Sequence, residues 1–277
     1  MKKILITGKN SYIGTSFEQW MNEKFNRSYQ IDTLDMRDVQ WQHHDFSSYD
    51  VLFHVAGIAH ADISKVTEQE KQHYYKINRD LTIAVAQKYK TDRKEQSSQF
   101  IFMSSIIVYG EEISIHKKRV ITKKTIPNPS NFYGDSKWQA EQGLQLLETE
   151  NFKLVILRPP MIYGINSKGN YRQLEKIAMK TPIFPNIKNE RSMLSIENLC
   201  QFIKDTIDQG AQGIFFPQEN TYIKTSEMVK QIAQTNGKNI YLFSGLNWFV
   251  RLLGHFPGKI GKLTNKAFGN LVYEQEE

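Results

Sequence analysis

The sequence predicts an α/β fold in which helices cover both faces of a parallel sheet. Short apolar segments that end in small or polar residues alternate with longer segments of helical periodicity. The strand-like segments are residues 3–7, 29–35, 51–55, 100–104 and 152–157, and the helical segments are residues 12–24, 67–90 and 131–150. Because helices of this length act as crossover connections, the sheet is expected to be parallel and doubly wound.

Apolar stripes support the helical assignments. Residues 12–24 place Ile13, Phe17, Trp20 and Met21 at intervals of four, three and one. The longer segment 67–90 carries its stripe at Tyr74, Ile77, Leu81, Val85 and Tyr89. Such spacing puts apolar side chains on one helical face, which is then expected to pack against the sheet.

The pattern changes after Arg158-Pro159-Pro160. Glycine, proline and asparagine become frequent, and helices expected near 172–180, 196–209 and 226–236 no longer alternate regularly with strong strands. We therefore expect a first domain over residues 1–160 and a smaller C-terminal lobe over residues 161–277, with an approximate boundary that allows the chain to interleave.

Composition narrows the class of protein. The 277 residues have 40% hydrophobic content and a mean hydropathy of −0.51, and no apolar run approaches the ~20 residues that span a bilayer. The start Lys2-Lys3-Ile4-Leu5 does not read as a signal peptide, and the single cysteine, Cys200, excludes an intrachain disulfide. We expect a cytoplasmic protein without an integral membrane segment.

The net charge of +7 is unevenly distributed, because residues 228–273 contain no Asp or Glu. The basic residues of this stretch are Lys230, Lys238, Arg251, Lys259, Lys262 and Lys266. Three interpretations stay open: a solvated surface, attraction for an anionic ligand, or peripheral contact with an anionic membrane. Nucleic acid is not expected, since no binding motif accompanies the charge.

A glycine-containing loop follows the first strand and opens the first helix. In Thr7-Gly-Lys-Asn-Ser-Tyr-Ile-Gly14, Gly8 allows a tight turn and Gly14 allows close packing of helix and strand. Ser11 stands where a dinucleotide fingerprint has its middle glycine. The N–H groups of Ser11, Tyr12 and Ile13 would then lie at the helix N-terminus, where they favour a pyrophosphate.

Two charged residues end the second strand and point to different cofactors. Asp35 is placed to accept from the adenosine ribose hydroxyls of NAD, whereas Arg37 could hold the 2′-phosphate of NADP. Further along, Asp45 is a candidate acceptor for the adenine amino group, and Phe46 a candidate apolar wall beside it. The sequence leaves the choice between NAD and NADP open.

The third strand ends in His54-Val55-Ala56-Gly57, at the carboxyl edge where open α/β sheets bind ligands. The small side chains of Ala56 and Gly57 would let a cofactor lie close to the backbone. His43 and His44 are sequence neighbours and cannot both face one ion comfortably, so no metal site is expected.

The most informative motif is Tyr133-Gly-Asp-Ser-Lys137. In a helix, residues four apart share a face, so a phenol and an ammonium would lie side by side. A nearby ammonium favours the phenolate, and the pKa of Tyr133 is therefore expected to fall toward neutral pH. A tyrosine tuned in this way can exchange a proton with a sugar hydroxyl or ketone.

Taken in order, these motifs resemble the extended short-chain dehydrogenase/reductase family, the NAD-dependent epimerase/dehydratases of nucleotide sugars. The resemblance continues through Asn78, Ser104-Ser105-Ile-Ile-Val-Tyr109-Gly110 and Arg158-Pro-Pro-Met-Ile-Tyr163-Gly164. Within that family the chain is most similar to short UDP-sugar epimerases and 4-ketoreductases of capsule and O-antigen clusters. The resemblance implies a Rossmann-type fold and a bound NAD or NADP.

The resemblance also implies roles for individual residues. Tyr133 would be the general acid/base, Lys137 would hold the nicotinamide ribose, and Ser105 would bond the reacting sugar oxygen. Asn78 would anchor the long helix beside the cofactor, where Ser104, Pro159 and Tyr163 are also expected. Arg191 would contact the substrate diphosphate, and Asn170 the diphosphate or sugar.

One departure from the family pattern limits the reaction. The 4,6-dehydratases of the family carry an Asp-Glu pair after the catalytic serine or threonine, where this chain has Ile106 and Ile107. Removal of water needs an acid and a base beyond the redox tyrosine, and isoleucine supplies neither. A 4,6-dehydratase is therefore not expected.

The remaining hypotheses share one set of residues. The first is reduction of the C4 ketone of a UDP-4-keto-6-deoxy-HexNAc for surface polysaccharide; the alternative is a redox-neutral UDP-sugar 4-epimerase with tightly bound NAD. A non-catalytic dinucleotide sensor is the third. The resemblance also suggests a homodimer through helices 67–90 and 131–150.

The basic stretch has three interpretations. It could close as a lid over the diphosphate, or it could contact a membrane through Trp248, Phe249, Leu252 and Leu253. Ordinary core packing of these apolar residues is the third interpretation and is favoured.

Overall fold

A computed structural model describes residues 1–25, 28–59, 66–167 and 169–275. Its strands are β1 (Lys2–Thr7), β2 (Tyr29–Leu34), β3 (Val51–His54), β4 (Ser98–Met103), β5 (Lys118–Ile121), β6 (Phe152–Leu157), β7 (Met161–Tyr163), β8 (Ile183–Pro185), β9 (Met193–Ser195), β10 (Gly213–Phe215), β11 (Tyr241–Phe243) and β12 (Asn270–Tyr273). Its α-helices are α1 (Tyr12–Phe25), α2 (Glu68–Tyr75), α3 (Thr82–Arg93), α4 (Phe132–Gln145), α5 (Asn170–Lys180), α6 (Ile196–Asp208), α7 (Thr225–Thr235), α8 (Asn247–His255) and α9 (Lys259–Phe268).

The largest sheet has six strands in the order β2-β1-β3-β4-β6-β10, and every neighbouring pair is parallel. This confirms the predicted doubly wound α/β fold. The chain leaves β1 toward β2 on one side, and β3 returns on the other side. A crevice therefore opens at the carboxyl ends of β1 and β3, where Thr7 and His54 pair in register.

Burial explains why these segments form the central strands. All six residues of β4 and all four of β3 are buried, as expected for strands of a parallel sheet covered on both faces. Rings dominate the core between this sheet and its helices, among them Tyr89, Phe100, Phe102 and Phe152. The predicted stripe on α1 is confirmed, since Phe17, Trp20 and Met21 are buried.

The predicted helix at 67–90 differs in one respect, because α2 and α3 are joined by a π-helical turn at Lys76–Leu81. Thr67 caps the start of α2 reciprocally: Thr67 Oγ1 accepts from the N–H of Glu70, and the Glu70 carboxylate accepts from the N–H of Thr67. Inserted turns of this kind are frequent at functional sites. Here the turn carries the buried Asn78.

The chain divides into two compact units. The first unit comprises residues 1–110, 127–160 and 196–217, and the second comprises residues 111–126, 161–195 and 218–277. The chain passes from the first unit to the second after residue 160, where the sequence predicts the boundary. Segment 111–126, however, belongs to the second unit, and segment 196–217 belongs to the first. Strand pairing explains both, because β10 pairs with β6 and β5 pairs with β12.

The second unit is built from short paired strands and helices. Its strands form the parallel pairs β5–β12, β7–β9 and β8–β11. Its apolar core includes Phe184, Ile187, Met228, Val229 and Ile232. In the described part of the chain, no helix is both long and apolar enough to cross a bilayer.

A substitution of Gly8, which directly follows β1, tests whether the loop before α1 requires a glycine at this position. Gly8 has φ +110°, and a Cβ there would lie 2.8 Å from the backbone nitrogen of Ala56. We expect Gly8→Ala to lower the free energy of unfolding by about 2–4 kcal/mol, because strain and a backbone clash add. The control Gly210→Ala has φ +56° and meets only the end of Lys153 at 3.4 Å, so about 1 kcal/mol is expected. Urea unfolding of both variants gives the comparison, and equal losses would contradict the clash.

Candidate active site

Ser105 and Tyr133 meet at the carboxyl edge of the large sheet. Ser105 follows β4 and caps the 3₁₀ turn Ile106–Tyr109, its Oγ accepting from the N–H of Ile107 at 3.3 Å. Tyr133 lies in the first turn of α4, whose start is fixed by Asn131 Oδ1 accepting from the N–H of Gly134 at 2.9 Å. The Ser105 hydroxyl is close enough to the Tyr133 phenol to lower its pKa, which places the two side chains beside each other.

Lys137 lies one turn further along α4 and is only 6% exposed. Its Nζ donates to the carbonyl of Met103 at 2.9 Å and lies 4.7 Å from the ring centre of Phe102. Burial lowers the pKa of this ammonium to about 8. Met103 is the one hydrogen-bond acceptor that the described residues offer it, although an ammonium has three donors.

Gly57 keeps this ammonium within reach of a ligand. A Cβ on Gly57 would lie 3.1 Å from Lys137 Nζ and 3.1 Å from Asn78 Oδ1. Glycine is therefore the residue that allows the segment after β3 to pass closely over both groups. A ribose diol would supply the acceptors that Lys137 lacks, so the residues fit the nicotinamide end of a dinucleotide.

The expected fall in the pKa of Tyr133 is wrong for this structure. Burial raises the pKa of the phenol to about 12, and the Ser105 hydroxyl beside it offsets only part of that shift. The ammonium of Lys137 is directed at the Met103 carbonyl, so it does not compensate. At neutral pH the phenol is therefore protonated and able to donate a proton.

Asn78 joins three parts of the first unit. Its Oδ1 accepts from the N–H of Ile58 at 2.8 Å, and its Nδ2 donates to the carbonyl of Ile58 and to Ser136 Oγ, both at 3.1 Å. The π-helical turn therefore holds the segment after β3 against α4. This arrangement agrees with an anchoring role for Asn78.

A buried ion pair lies behind the site, and sequence reasoning did not identify it. The guanidinium of Arg158 contacts the Glu141 carboxylate at 2.5 Å, and the side chains are 4% and 0% exposed. Arg158 Nη1 also donates to the Tyr109 hydroxyl at 2.5 Å. The available signal was the spacing of Tyr133, Lys137 and Glu141, which puts all three on one face of α4.

The expected cofactor contact of Ser104 needs correction. Ser104 Oγ donates to the Glu141 carboxylate, and its backbone N–H donates to the carbonyl of Leu157 at 2.8 Å. Both donors are therefore used inside the protein, where Ser104 is 4% exposed. Its hydroxyl supports the ion pair, because the buried carboxylate needs donors around it.

The loop before α1 has the form that the sequence predicts. Ser11 Oγ accepts from the N–H of Gly14 at 3.2 Å, and the N–H of Ser11 donates to the carbonyl of Gly8 at 3.0 Å. Ser11 therefore caps the helix that begins with Tyr12 and Ile13. This cap explains why a serine is compatible with the position of the middle glycine.

Asp35 and Arg37 form an ion pair at the end of β2. Arg37 Nη2 lies 2.6 Å from Asp35 Oδ2, and Arg37 Nε donates to Asp35 Oδ1 at 3.0 Å. The guanidinium lowers the pKa of the Asp35 carboxyl to about 2. Asp35 lines a surface cavity of about 330 Å³ that Asp38, Trp41 and His44 also line. The Asp35–Arg37 pair presents both an acceptor for ribose hydroxyls and a donor for a 2′-phosphate.

The Asp45-Phe46 prediction is corrected for Phe46. Its side chain is fully buried in the core against Tyr89, at 6.5 Å between ring centres, and cannot form the wall of an open pocket. Asp45 is exposed, but its carboxylate accepts from the N–H and hydroxyl of Ser47 at 2.8 and 2.9 Å. The local turn accounts for these contacts of Asp45.

The remaining candidates divide between the units. Pro159 lies in the first unit, where its carbonyl accepts from the N–H of Ile106 at 3.0 Å. Tyr163 and Asn170 lie in the second unit; the Tyr163 hydroxyl donates to Glu219 at 3.2 Å, and Asn170 is the exposed first residue of α5.

Arg191, also in the second unit, has donors directed inward. Its Nη1 donates to the carbonyl of Lys266 at 2.6 Å. Its Nε is buried and has no hydrogen-bond partner among the described residues. Burial lowers the pKa of this guanidinium to about 10. An anionic ligand would satisfy the Nε donor. Across the described chain, no group of three or more His, Cys, Asp or Glu side chains is placed to hold a metal ion.

His54 ends β3 and is neutral. Its Nδ1 lies 2.7 Å from Thr7 Oγ1, its Nε2 lies 3.0 Å from Thr82 Oγ1, and its ring stacks on Phe100. Burial, aided by the nearby charge of Lys137, lowers the pKa of His54 to about 3. A neutral imidazole therefore occupies the core below the ammonium.

This combination of fold and site is that of the NAD(P)-dependent epimerases and reductases of the extended short-chain dehydrogenase/reductase type, and the protein is an enzyme of this class. Solved structures that share its fold contain NADP, NAD or NADPH. Within the class, the chain belongs to the family described as RmlD substrate binding domain, which matches residues 1–184.

Two relatives are similar over most of the chain. UDP-glucose 4-epimerase from Vibrio cholerae is 30% identical over 237 residues, which cover 82% of this chain and 70% of that protein. N-acetyl-alpha-D-glucosaminyl-diphospho-ditrans,octacis-undecaprenol 4-epimerase from Escherichia coli O157:H7 is 27% identical over 285 residues, which cover 96% and 82%.

Solved structures share the fold at lower identity. dTDP-4-dehydrorhamnose reductase from Bacillus anthracis, in complex with NADP, has a TM-score of 0.68 and 19% identity, with 88% of this chain and 84% of that chain covered. UDP-glucuronic acid 4-epimerase from Bacillus cereus, in complex with NAD, has a TM-score of 0.67 and 18% identity, with 87% and 86% covered.

The neutral His54 predicts a pH dependence of stability. In the unfolded chain an imidazole takes up a proton below its usual pKa of about 6.5, whereas the buried His54 stays neutral down to about pH 3. The free energy of unfolding should therefore fall as pH drops through this window, because the unfolded state binds more protons. Urea unfolding at stepped pH should show a shallower fall in His54→Gln. An identical slope in both proteins would contradict the assignment.

The buried ion pair predicts strong coupling. Arg158→Met leaves the Glu141 carboxylate buried without its cation, and should lower the free energy of unfolding by about 3–5 kcal/mol. The double variant Glu141→Gln/Arg158→Met removes both charges and should be less destabilised than Arg158→Met alone. The control Lys71→Met breaks an exposed pair with Glu68 and should change stability by less than about 1 kcal/mol. A double variant as unstable as the sum of its singles would exclude the coupling.

Proposed function

We propose that the protein catalyses hydride chemistry at C4 of a nucleotide-linked sugar, with Tyr133 as the group that exchanges the proton. The observation that carries this proposal is that the hydroxyls of Ser105 and Tyr133 lie beside each other at the edge of the sheet, and that Tyr133 lies on the helix that also carries the buried ammonium of Lys137. A sugar oxygen held by both hydroxyls would be positioned for proton transfer.

The cofactor would supply or accept the hydride when bound. The chain's contribution is to hold it: the N-terminus of α1 would receive the pyrophosphate, and Lys137 would bond the nicotinamide ribose. Asn78 would keep the segment after β3 in place for that contact. Asp35 would accept from the adenosine ribose hydroxyls of NAD, and Arg37, whose guanidinium keeps further donors beside its pair with Asp35, would hold the 2′-phosphate of NADP.

Reduction of a 4-ketone is the first candidate for the net reaction. A phenol that is protonated at neutral pH is in the state that donates a proton to a ketone oxygen. Ile106 and Ile107 bring no second acid or base to the turn after Ser105. The proposed substrate is a UDP-4-keto-6-deoxy-HexNAc, whose reduction gives a 4-hydroxy sugar for surface polysaccharide.

Epimerisation at C4 is the second candidate, and both curated relatives favour it, because each carries the name of a 4-epimerase. The same residues would serve in both directions: Tyr133, as the phenolate, would take the proton from the C4 hydroxyl and, as the phenol, would later return it to the ketone oxygen. Such an enzyme needs no net supply of reductant, so it would keep its dinucleotide through purification.

The diphosphate of the substrate is proposed to bind Arg191. Its buried Nε has no hydrogen-bond partner among the described residues, and a phosphate oxygen would satisfy it. Asn170, at the start of α5, is proposed as a further contact with the diphosphate or sugar.

One assay separates the two reactions. The purified protein is mixed with UDP-4-keto-6-deoxy-HexNAc and either NADH or NADPH, and absorbance is followed at the reduced-nicotinamide band. Consumption of reductant supports the reductase, and the preferred dinucleotide decides between the roles of Asp35 and Arg37. Interconversion of UDP-hexose epimers without consumption supports the epimerase. Absence of both activities would leave only dinucleotide binding.

Tyr133→Phe tests the catalytic assignment. Loss of the proton-transferring hydroxyl should lower kcat by roughly 10²–10⁴-fold, while dinucleotide binding is retained. The matched control is Tyr75→Phe, which removes a neighbouring hydroxyl that donates to Asp135 at 2.7 Å and should leave kcat little changed. Full activity of Tyr133→Phe would refute the role of the phenol.

A further inference from the structure

Large apolar side chains are exposed along the last two helices of the second unit. Trp248 is 69% exposed, Phe256 50%, Ile260 56% and Leu263 55%. With Phe249 and Leu252, at 45% and 47%, they define the α8–α9 patch. The expectation that core packing accounts for Trp248, Phe249 and Leu252 is therefore wrong.

Both helices that carry these exposed residues also pack against the core of the second unit. On α8, Val250 is 7% exposed and belongs to the core of the second unit, whereas Trp248 and Leu252 are one turn apart on another face. On α9, Gly261 and Phe268 are buried, whereas Leu263 is exposed. Each helix thus has one apolar face that is packed and a second that is open to solvent.

The charge around the α8–α9 patch has one sign. Arg251, Lys259, Lys262 and Lys266 lie on these two helices and are exposed. The sequence has no Asp or Glu between residues 228 and 273. Exposed aromatic and aliphatic side chains interleaved with cations are the composition of helices that lie in the interface of an anionic bilayer.

We propose that the α8–α9 patch docks the protein on the surface of an anionic phospholipid bilayer. The apolar side chains enter the boundary between headgroups and acyl chains, and the four cations lie at headgroup level. Both attractions are needed, since short apolar helices or a few cations alone give weak, reversible binding. Charge complementarity favours a lipid surface over a second copy of this chain, because two such patches would repel each other.

The experiment is co-sedimentation of the full chain with vesicles of phosphatidylcholine, with and without phosphatidylglycerol. We expect binding to the anionic vesicles that weakens as salt rises. Trp248→Ser/Leu252→Ser should lower the partition coefficient by roughly tenfold or more. Lys259→Gln/Lys262→Gln should lower it by roughly thirtyfold on anionic vesicles and leave binding to neutral vesicles unchanged.

The control variant is Ile126→Ser, which removes an exposed apolar side chain, 82% exposed, elsewhere in the second unit and should bind as the wild type does. Circular dichroism of each variant separates loss of docking from loss of fold. Failure of the wild type to bind anionic vesicles would overturn the proposal, as would binding that both double variants retain. A concentration-dependent dimer that Trp248→Ser/Leu252→Ser dissociates, without vesicle binding, would assign the patch to self-association instead.

Discussion

The first unit depends on keeping one ammonium charged inside its core. Lys137 is 6% exposed, and burial alone would drive such a group toward its neutral form. The Met103 carbonyl and the Phe102 ring stabilise the cation directly, and the Glu141 carboxylate acts from one turn further along α4. Glu141 in turn needs Arg158 and Ser104, because an unpaired carboxylate would be as unfavourable as the lysine it supports.

This constraint explains why α4 presents Tyr133, Lys137 and Glu141 on one face. The first residue faces Ser105, the second meets the segment that carries Gly57, and the third anchors the set to β6 through Arg158, which directly follows that strand. The proposed proton exchange, the proposed cofactor contact and the charge compensation thus follow one helix axis. A shift of α4 would disturb all three together.

Features set by short-range pattern were predictable from the sequence. The parallel sheet, the loop from Gly8 to Gly14 and the apolar stripe of α1 follow from periodicity and local turn chemistry, and the structure has each of them. Features that depend on the surroundings were not predictable. Burial raises the pKa of Tyr133, whereas Lys137 was expected to lower it. Phe46 lies in the core, and Ser104 donates to Glu141, which is 37 residues away in the sequence. The interleaving of the units follows from pairings such as β10 with β6, which no local signal encodes.

The π-helical turn at Lys76–Leu81 depends on the number of residues in its segment as well as on their identity. Such a turn holds one residue more than a regular α-helical turn. Deleting one residue there would let α2 run into α3 as a regular helix, because the extra residue is the one that the wider turn accommodates. Val85 and Tyr89 on α3 would then stay close to their places in the core, whereas Asn78 would lose the widened turn from which it bonds Ile58 and Ser136. A shortened turn is therefore expected to disturb the site beside Lys137 more than the packing of the sheet.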